Sequence, residues 1–295
     1  MQGWGVLAAI LSSALGGTAV GATRYLANVL DPITIGALRF GGGFLILAPL
    51  AAASGQPWPE RADRPGVAGL GLLFFGLFPI LFNAALVYTT AARGALALST
   101  LPLLTMAAGS LLGIEVPTRR KTLGVLIAMT GVAVALGSNL SQAPPGAWRG
   151  DLLMLAAACC MALYNVWSRP FIARSGPIVF ACAGMGIGAI CLSVLSAVRG
   201  GPALLAALQA SQWYAVAYLA VICGALIFFL WAYALGRAPP TLVAVSVAVN
   251  PVTASLFGRL LLGEALSANL VLGLVAVVAG IVVATRSGSS GIRPG

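Results

Sequence analysis

The segment PLLTMAAGSLLGIE, Pro102–Glu115, recurs 149 residues later as PVTASLFGRLLLGE, Pro251–Glu264. The same displacement aligns Gly124 with Gly273, and the match continues as far as Ala135 and Ala284 in the apolar runs that follow. A displacement of 145 residues extends the match upstream, where it brings Arg24 onto Arg169. The chain is therefore two copies of one apolar unit.

The repeat predicts the domain organisation. The first copy is predicted to span residues 1–143 and the second residues 144–286. A polar stretch with two adjacent prolines, Ser138–Arg149, is the predicted linker between them. The Gly/Ser-rich residues 287–295 are predicted to form a disordered tail.

The composition predicts an integral membrane protein. Hydrophobic residues make up 60% of the chain and charged residues 7%, with a mean hydropathy of +1.02. In soluble domains, hydrophobic residues average about 45–50% and charged residues about 25%. The net charge of +10 would suggest nucleic acid in a soluble protein. Here the basic residues are scattered through short loops, so we interpret them as topology charges and predict no nucleic-acid partner.

Ten apolar runs are long enough to cross a bilayer, for which about 20 residues are needed. They cover approximately residues 4–22, 32–53, 66–88, 92–113, 119–138, 150–168, 177–198, 213–235, 240–262 and 267–285. The predicted fold class is thus all-α, with ten transmembrane helices in two five-helix repeats. Five cysteines lie inside these runs, and their odd number and spacing favour packing over disulfides or metal binding.

The distribution of basic residues predicts that both termini are cytoplasmic. With that orientation the inner loops and tail hold ten of them: Arg61, Arg64, Arg119, Arg120, Lys121, Arg169, Arg174, Arg237, Arg286 and Arg293. The outer loops hold four: Arg24, Arg93, Arg149 and Arg199. An excess of Lys and Arg marks the cytoplasmic side.

Five spans per copy force the second copy to enter the membrane upside down relative to the first. Inverted repeats are typical of transporters, in which the site lies at the repeat interface and the two halves exchange roles between inward- and outward-open states. The sequence therefore predicts a multi-pass carrier that works by alternating access.

The repeated proline–glutamate segments, the glycine pairs Gly124/Gly131 and Gly273/Gly280, and Asn83–Ala91 before Arg93 carry a family resemblance. Together they resemble the drug/metabolite transporter superfamily, and specifically its EamA-type ten-helix exporters. The resemblance covers nearly the whole chain.

This resemblance implies export of amino acids, other metabolites or drugs across the bacterial inner membrane. Overall similarity points further to the amino-acid exporter branch, including aromatic amino-acid exporters. Export of another metabolite or of cationic drugs is the alternative within transport. An integral-membrane enzyme is a remote alternative, because no nucleophile–base pair, metal cluster or buried carboxylate pair is visible. No cofactor or metal is predicted, and ten spans enclosing one site predict a monomer.

The acidic residues bear on coupling. The chain has no histidine, and its six carboxylates fall in loops or at span ends. Because buried ionisable groups are the usual proton relays, we expect facilitated diffusion or exchange. Glu115 and Glu264 are predicted to cap helices or to pair with Arg119 and Arg259.

Arg39 lies about two turns into the second span. A charge there costs about 2.5–3.5 kcal/mol on insertion scales unless it is paired or reaches the interface. Two interpretations remain open: the side chain extends outward to the interface, or it attracts a carboxylate of the substrate.

Polar and aromatic residues deep in the spans are the candidate substrate-binding residues: Phe78, Phe82, Asn83, Ser99, Tyr164, Asn165, Trp231 and Asn250. Phe82 and Trp231 occupy equivalent places in the two copies, and paired aromatics there would wall a pocket. The alternatives are core packing for the aromatic residues and hydrogen bonding between helices for the amides.

Pro102 and Pro251 occupy the same place in the two copies. Each deprives a carbonyl four residues earlier, at Leu98 or Val247, of its helical partner, which favours a kink. We predict a hinge at both prolines; simple tolerance of proline in membrane helices is the alternative.

Overall fold

A computed structural model describes residues 2–89, 91–140, 145–253 and 268–285, which are almost entirely helical. Arg259, Glu264 and the predicted tail lie outside the described residues.

The first copy forms α1 (Gln2–Leu26), α2 (Pro32–Ala53), α3 (Arg64–Gly71), a first π-helical segment (Leu72–Leu77), α4 (Phe78–Tyr88), α5 (Ala91–Leu98), α6 (Leu101–Leu111) and α7 (Arg119–Leu140). The second copy forms α8 (Ala147–Ser175), α9 (Pro177–Val198), α10 (Gly201–Leu205), α11 (Ala210–Tyr218), a second π-helical segment (Leu219–Leu226), α12 (Ile227–Leu235), α13 (Pro240–Val245), a 3-10 segment (Ser246–Val249) and α14 (Ala268–Thr285).

The helices confirm an all-α membrane protein built from two five-helix repeats. Five described stretches are long and apolar enough to cross a bilayer: Pro32–Ala53, Arg64–Ala85, Ala147–Ser175, Pro177–Val198 and Ala210–Leu235. Shorter apolar helices coincide with four more predicted spans: Gly3–Ala19, Leu96–Leu111, Pro240–Thr253 and Val271–Ala284. The 22-residue helix α7 coincides with the remaining predicted span, the fifth.

One predicted boundary is wrong. The sixth span was expected to end near Arg169, but α8 runs on through Pro170 to Ser175. A proline removes only one helical hydrogen bond, which a long packed helix tolerates. The helix ends instead at Gly176, whose φ of 75° is a conformation that glycine readily adopts.

The crossing of α7 and α14 shows the inversion of the two copies. A Cβ added at Gly124 would lie 2.6 Å from the carbonyl oxygen of Gly280, and one added at Gly131 would lie 2.8 Å from that of Gly273. The two contacts run in opposite directions along the chain, so the helices are antiparallel. Since the 149-residue displacement exchanges one contact for the other, the pseudo-two-fold axis passes through this crossing.

The middle of the bundle is formed by α2, α9 and the two π-helical segments. A Cβ added at Gly43 would lie 3.1 Å from the backbone of Gly224, and one added at Gly188 would lie 2.8 Å from the backbone of Phe75. Thus α2 packs on the second π segment and α9 packs on the first. Each of these contacts joins one copy to the other.

Hydrogen bonds show which loops lie together at each end of the bundle. Arg174 holds Asp63 at one end through a two-pronged bond of 2.6 and 2.7 Å. Thr89 donates to Asp151 at the other end, over 2.9 Å. These contacts join only loops that alternating spans would place on the same side.

Candidate functional site

Five rings from both copies form an aromatic centre, which we define as Phe40, Phe74, Phe75, Tyr164 and Phe228. Phe74 stacks on Tyr164 with ring centroids 4.1 Å apart, and Phe75 meets Phe228 edge-on at 5.0 Å. Phe40 lies 5.4 Å from Phe75 and 5.5 Å from Phe228. Four of the rings are buried, and Phe228 is half-buried, so the centre is closed in this conformation.

The π-helical segments shape this centre by changing the backbone hydrogen bonds. The amide of Phe78 donates to Leu73, and the amide of Ile227 donates to Ile222, each five residues back. In an α-helix those amides would instead donate to the carbonyls four residues back, those of Phe74 and Cys223. Both carbonyls therefore lose their usual donor, and the residue after Phe78 is a proline, which has no N–H. Such π segments are frequent at functional sites.

Asn165 lies beside the aromatic centre and is fully buried, with a relative exposure of 0%. Its Oδ1 accepts a hydrogen bond of 2.9 Å from Nε1 of Trp231. An indole N–H only donates, so this bond fixes which way the amide points. The Nδ2 group of Asn165 is consequently left without a partner among the described residues.

Arg39 does not extend outward to the interface, so that interpretation is wrong. Its Nε and Nη2 atoms donate to the carbonyl of Cys223, over 3.0 and 2.8 Å. The guanidinium lies 5.3 Å from the ring centroid of Phe40 and 5.5 Å from that of Phe228. The released π-segment carbonyl therefore holds Arg39 at the edge of the aromatic centre.

The remaining predicted residues are dispersed around this centre. Phe78 lies 5.4 Å from Phe74 and 5.8 Å from Phe82, so these rings extend the centre along α4. The ring contacts of the described residues include none between Phe82 and Trp231, and their role as the walls of a pocket stays a prediction. Asn83 is half-buried.

Ser99 and Asn250 lie in the two spans that carry the predicted hinge prolines. The hydroxyl of Ser99 bonds to the carbonyl of Leu96 over 2.6 Å and is satisfied locally. Asn250 packs against Gly16 of α1, and its Oδ1 is buried with no described partner.

The chain departs from a regular α-helix just before each predicted hinge proline. The fourth span breaks between α5 and α6, where Ser99 and Thr100 form a turn before Pro102. The ninth span tightens into the 3-10 segment Ser246–Val249 before Pro251. Both deformations fall where the proline leaves a carbonyl without its helical donor. Movement at these places remains a prediction.

Glu115 does not pair with Arg119 as expected. Its Oε1 bonds to Nζ of Lys121 at 2.7 Å, and its Oε2 accepts from the amide and hydroxyl of Thr241 at 3.2 and 2.9 Å. Because Thr241 lies in the first turn of α13, the carboxylate caps a helix of the other copy. The predicted capping role is thus correct, while the predicted basic partner was wrong.

Sequence reasoning missed several residues of this region. Phe74, Phe75 and Phe228 looked like ordinary apolar residues, and only Pro79 hinted at irregular backbone beside them. Thr105 and Ser168 are buried with hydroxyls that have no described partner. The absence of carboxylates from both copies' mid-span stretches was visible in the sequence.

Comparison with known proteins identifies the family. The EamA-like transporter family matches residues 3–137 and again residues 148–286. This chain belongs to that family. The EamA fold is a member of the drug/metabolite transporter superfamily, as the repeated motifs predicted.

Individual relatives agree with this assignment. The chain is 25% identical over 273 residues to a probable terminal-alkyne amino-acid exporter of Streptantibioticus cattleyicolor, covering 88% of this chain and 89% of the relative. It is 26% identical over 258 residues to the uncharacterized inner membrane transporter YedA of Escherichia coli K12, covering 86% of this chain and 81% of YedA. A solved crystal structure with 25% identity superposes with a TM-score of 0.79, covering 99% of this EamA chain and all of the other.

Proposed function

We propose that this EamA-family transporter exports neutral amino acids, including aromatic ones, with broad specificity. The observation that carries the proposal is an aromatic centre built by both copies at their interface, with amide side chains beside it. Such a surface suits apolar side chains of different sizes. The similarity to an amino-acid exporter supports the cargo class.

The positions of the carboxylates support facilitated diffusion or exchange. Asp31 caps α2, Asp63 pairs with Arg174, Glu115 caps α13 and Asp151 accepts from Thr89. These groups lie at helix ends, away from the aromatic centre. The alternative cargo is another metabolite or a cationic drug. An integral-membrane enzyme is the remote alternative, because the relatives are named transporters.

The cargo is proposed to bind when the two copies separate around the aromatic centre. Phe78, Phe82, Asn83, Tyr164, Asn165 and Trp231, with Ser99 and Asn250 from the hinged spans, would then line one pocket. Pro102 and Pro251 would be the hinges. The Glu115–Thr241 contact would close one end and would open in the alternate state. The whole site lies within one chain, which supports a monomer with its copies at residues 1–143 and 144–286.

Flux into proteoliposomes tests this proposal. Purified protein should carry labelled phenylalanine, leucine and alanine down their gradients at rates well above empty vesicles. Collapsing the pH gradient with an uncoupler should leave the flux unchanged, because the described carboxylates lie at helix ends and none contacts the aromatic centre. Loss of flux on uncoupling would overturn the coupling proposal, and no flux with any amino acid would overturn the cargo proposal.

We propose that the protein lies in the bacterial inner membrane, because it is similar to the inner membrane transporter YedA. The excess of basic residues further supports cytoplasmic termini.

A cysteine at exposed Ser54 and one at exposed Gln209 should therefore be reached from opposite sides. In intact cells an impermeant thiol reagent should label the Gln209→Cys protein. The Ser54→Cys protein should be labelled only after permeabilisation, because its loop lies at the end with the basic excess. The parent protein gives the background from native cysteines. Labelling of both variants in intact cells would disprove the orientation.

A further inference from the structure

We propose that the cytoplasmic end of the seam between α3 and α9 binds one anionic phospholipid, with the phosphate on Arg64 and an acyl chain along both helices. The site shares no lining residue with the aromatic centre, so the inference goes beyond the proposed cargo. Its place on the cytoplasmic side follows from the proposed orientation, whereas binding in detergent does not depend on that orientation.

A cavity of about 450 Å³ lies at this end of the seam. Its lining residues come from the loop before α3 and from the two helices, and include Trp58, Arg64, Val67, Ala68, Ala183 and Ile187. Ala183 and Ile187 lie six and ten residues after the start of α9, which is about 9 and 15 Å along the helix. The cavity therefore extends from the membrane interface into the bilayer.

The interfacial end of the cavity carries a free cation. Arg64 is exposed, and its Nε donates to the carbonyl of Pro59 over 3.4 Å. Its neighbour Asp63 is held by Arg174, which donates to both carboxylate oxygens. Neither Arg64 nor Glu60 forms an ion pair among the described residues. The guanidinium thus has donors left for a phosphate group, which suits its two-pronged geometry.

The inner end of the cavity is apolar and is bounded by two closely packed helices. A Cβ added at Gly71 would lie 2.6 Å from the carbonyl oxygen of Gly184, so α3 and α9 touch through their backbones. The small side chains of Ala68 and Ala183 leave a groove beside that contact. A groove of this kind inside a bilayer is lined for a hydrocarbon chain.

An indole lies between the charged end and the apolar end. Trp58 lines the cavity and is 51% exposed. Tryptophan is enriched at the level of the lipid headgroups, where its ring meets both water and hydrocarbon. The order of cation, indole and apolar groove matches the order of phosphate, glycerol and acyl chain in a phospholipid.

A second groove shows what the charge adds. The cavity between α2 and α9, of about 330 Å³, is lined by Gly41, Phe44 and other uncharged residues. It can contact lipid chains but offers no group that would select a headgroup. Only the cavity at Arg64 combines an apolar groove with a cation among these two.

The repeat gives this cation to one side of the membrane. A displacement of 149 residues brings Arg64 onto Trp213, which is 44% exposed. The equivalent position at the opposite end of the bundle is therefore uncharged. The cytoplasmic leaflet has a negative surface potential from its anionic lipids, and basic residues beside it are attracted to them. The site thus lies where its ligand is available.

A bound lipid would join the two copies of the chain. Val67 and Ala68 belong to the first copy, and Ala183 and Ile187 belong to the second. A chain lying between these walls contacts both copies only while α3 and α9 remain packed. A ligand that binds the native state alone stabilises it in proportion to its excess over the dissociation constant. The lipid should therefore stabilise the folded protein.

Phosphatidylglycerol and phosphatidylcholine with identical acyl chains provide a matched test, because they differ in the net charge of the headgroup. In detergent, phosphatidylglycerol should raise the midpoint of thermal unfolding of the parent protein by about 3 °C or more. Native mass spectrometry should show one retained phosphatidylglycerol per chain. Phosphatidylcholine should do neither, because its choline cation faces Arg64. Glycerol phosphate, which lacks acyl chains, should give no shift.

Two variants locate the effect. Arg64→Gln should unfold as the parent does without lipid, and should bind phosphatidylglycerol about tenfold more weakly, since a charged hydrogen-bond donor is lost. Arg199→Gln removes an exposed arginine at the opposite end of the bundle and should keep the full shift.

Three results would overturn the inference. They are equal shifts with the two lipids, an unchanged phosphatidylglycerol shift in Arg64→Gln, and a full shift with glycerol phosphate, which would indicate a site for free anions. Absence of amino-acid flux would overturn the proposed function instead, and it would leave lipid binding in detergent standing.

Discussion

A leucine in place of Gly124 should leave little folded protein in the membrane. The Cβ alone would lie 2.6 Å from the carbonyl oxygen of Gly280 and 2.6 Å from the amide nitrogen of Ala284. Both obstacles are backbone atoms of α14, so no side-chain rotation relieves the clash. Overpacking typically costs about 1–3 kcal/mol when neighbours can adjust, and here two helices would have to move apart.

Gly41 offers a matched control for this substitution. It also lies inside a membrane helix, but a Cβ added there meets nothing within 4 Å. Gly41→Leu should therefore express and migrate on size exclusion in detergent as the parent does, whereas Gly124→Leu should show a strongly reduced folded peak. Equal yield and equal thermal stability of the two variants would show that the α7–α14 contact does not require glycine.

Much of this architecture was predictable because it depends on hydropathy and on the repeat. Both ends of α2 and α9 were predicted correctly. Their starts were clear because Pro32 and Pro177 are well suited to the first turn of a helix. The inversion followed from an odd number of spans in each copy. The glycines at the α7–α14 crossing were visible as aligned pairs, although their partners were not.

The π-helical segments were not predictable from the sequence. An α-helix and a π-helix bury similar apolar residues, so hydropathy does not separate them. Only Pro79 signals irregular backbone, and the second segment contains no proline at the equivalent position, Phe228. Because the sequence does not predict these segments, it does not predict that the carbonyl of Cys223 loses its helical donor. It therefore does not predict how Arg39 is oriented.

The candidate site was predicted unevenly for a related reason. Tyr164 and Asn165 were chosen for their depth in a span and do lie at or beside the aromatic centre. Phe82 and Trp231 were chosen together because the repeat relates them. Symmetry-related residues touch only near the axis, so their shared role as pocket walls stays a prediction. The bond between Trp231 and Asn165 joins residues with no repeat relation.

Replacing Glu115 with leucine should destabilise the protein more than any single change to an exposed ion pair. Its side chain is 4% exposed and that of Lys121 is 10% exposed. Glu115→Leu leaves the ammonium of Lys121 buried without its carboxylate and removes the acceptor for Thr241. Breaking a buried pair by removing one partner costs about 3–5 kcal/mol. Thermal unfolding in detergent at neutral pH would measure the loss.

The other single change should be milder, because the pair is asymmetric. Lys121→Met leaves a carboxylate that still accepts two hydrogen bonds from Thr241, so less of the buried charge is uncompensated. Adding Lys121→Met to Glu115→Leu should therefore recover stability, since the stranded cation is gone. That recovery would show coupling between the two residues.

Arg174→Ala is the control that separates burial from the mere presence of an ion pair. The Arg174–Asp63 bond is as short, at 2.6 Å, but the Arg174 side chain is 52% exposed. Water replaces such a partner readily, so this variant should unfold close to the parent. If Glu115→Leu were no less stable than Arg174→Ala, the carboxylate would not be the contact that ties the fourth span to α13. The closed end of the bundle would then depend on apolar packing alone.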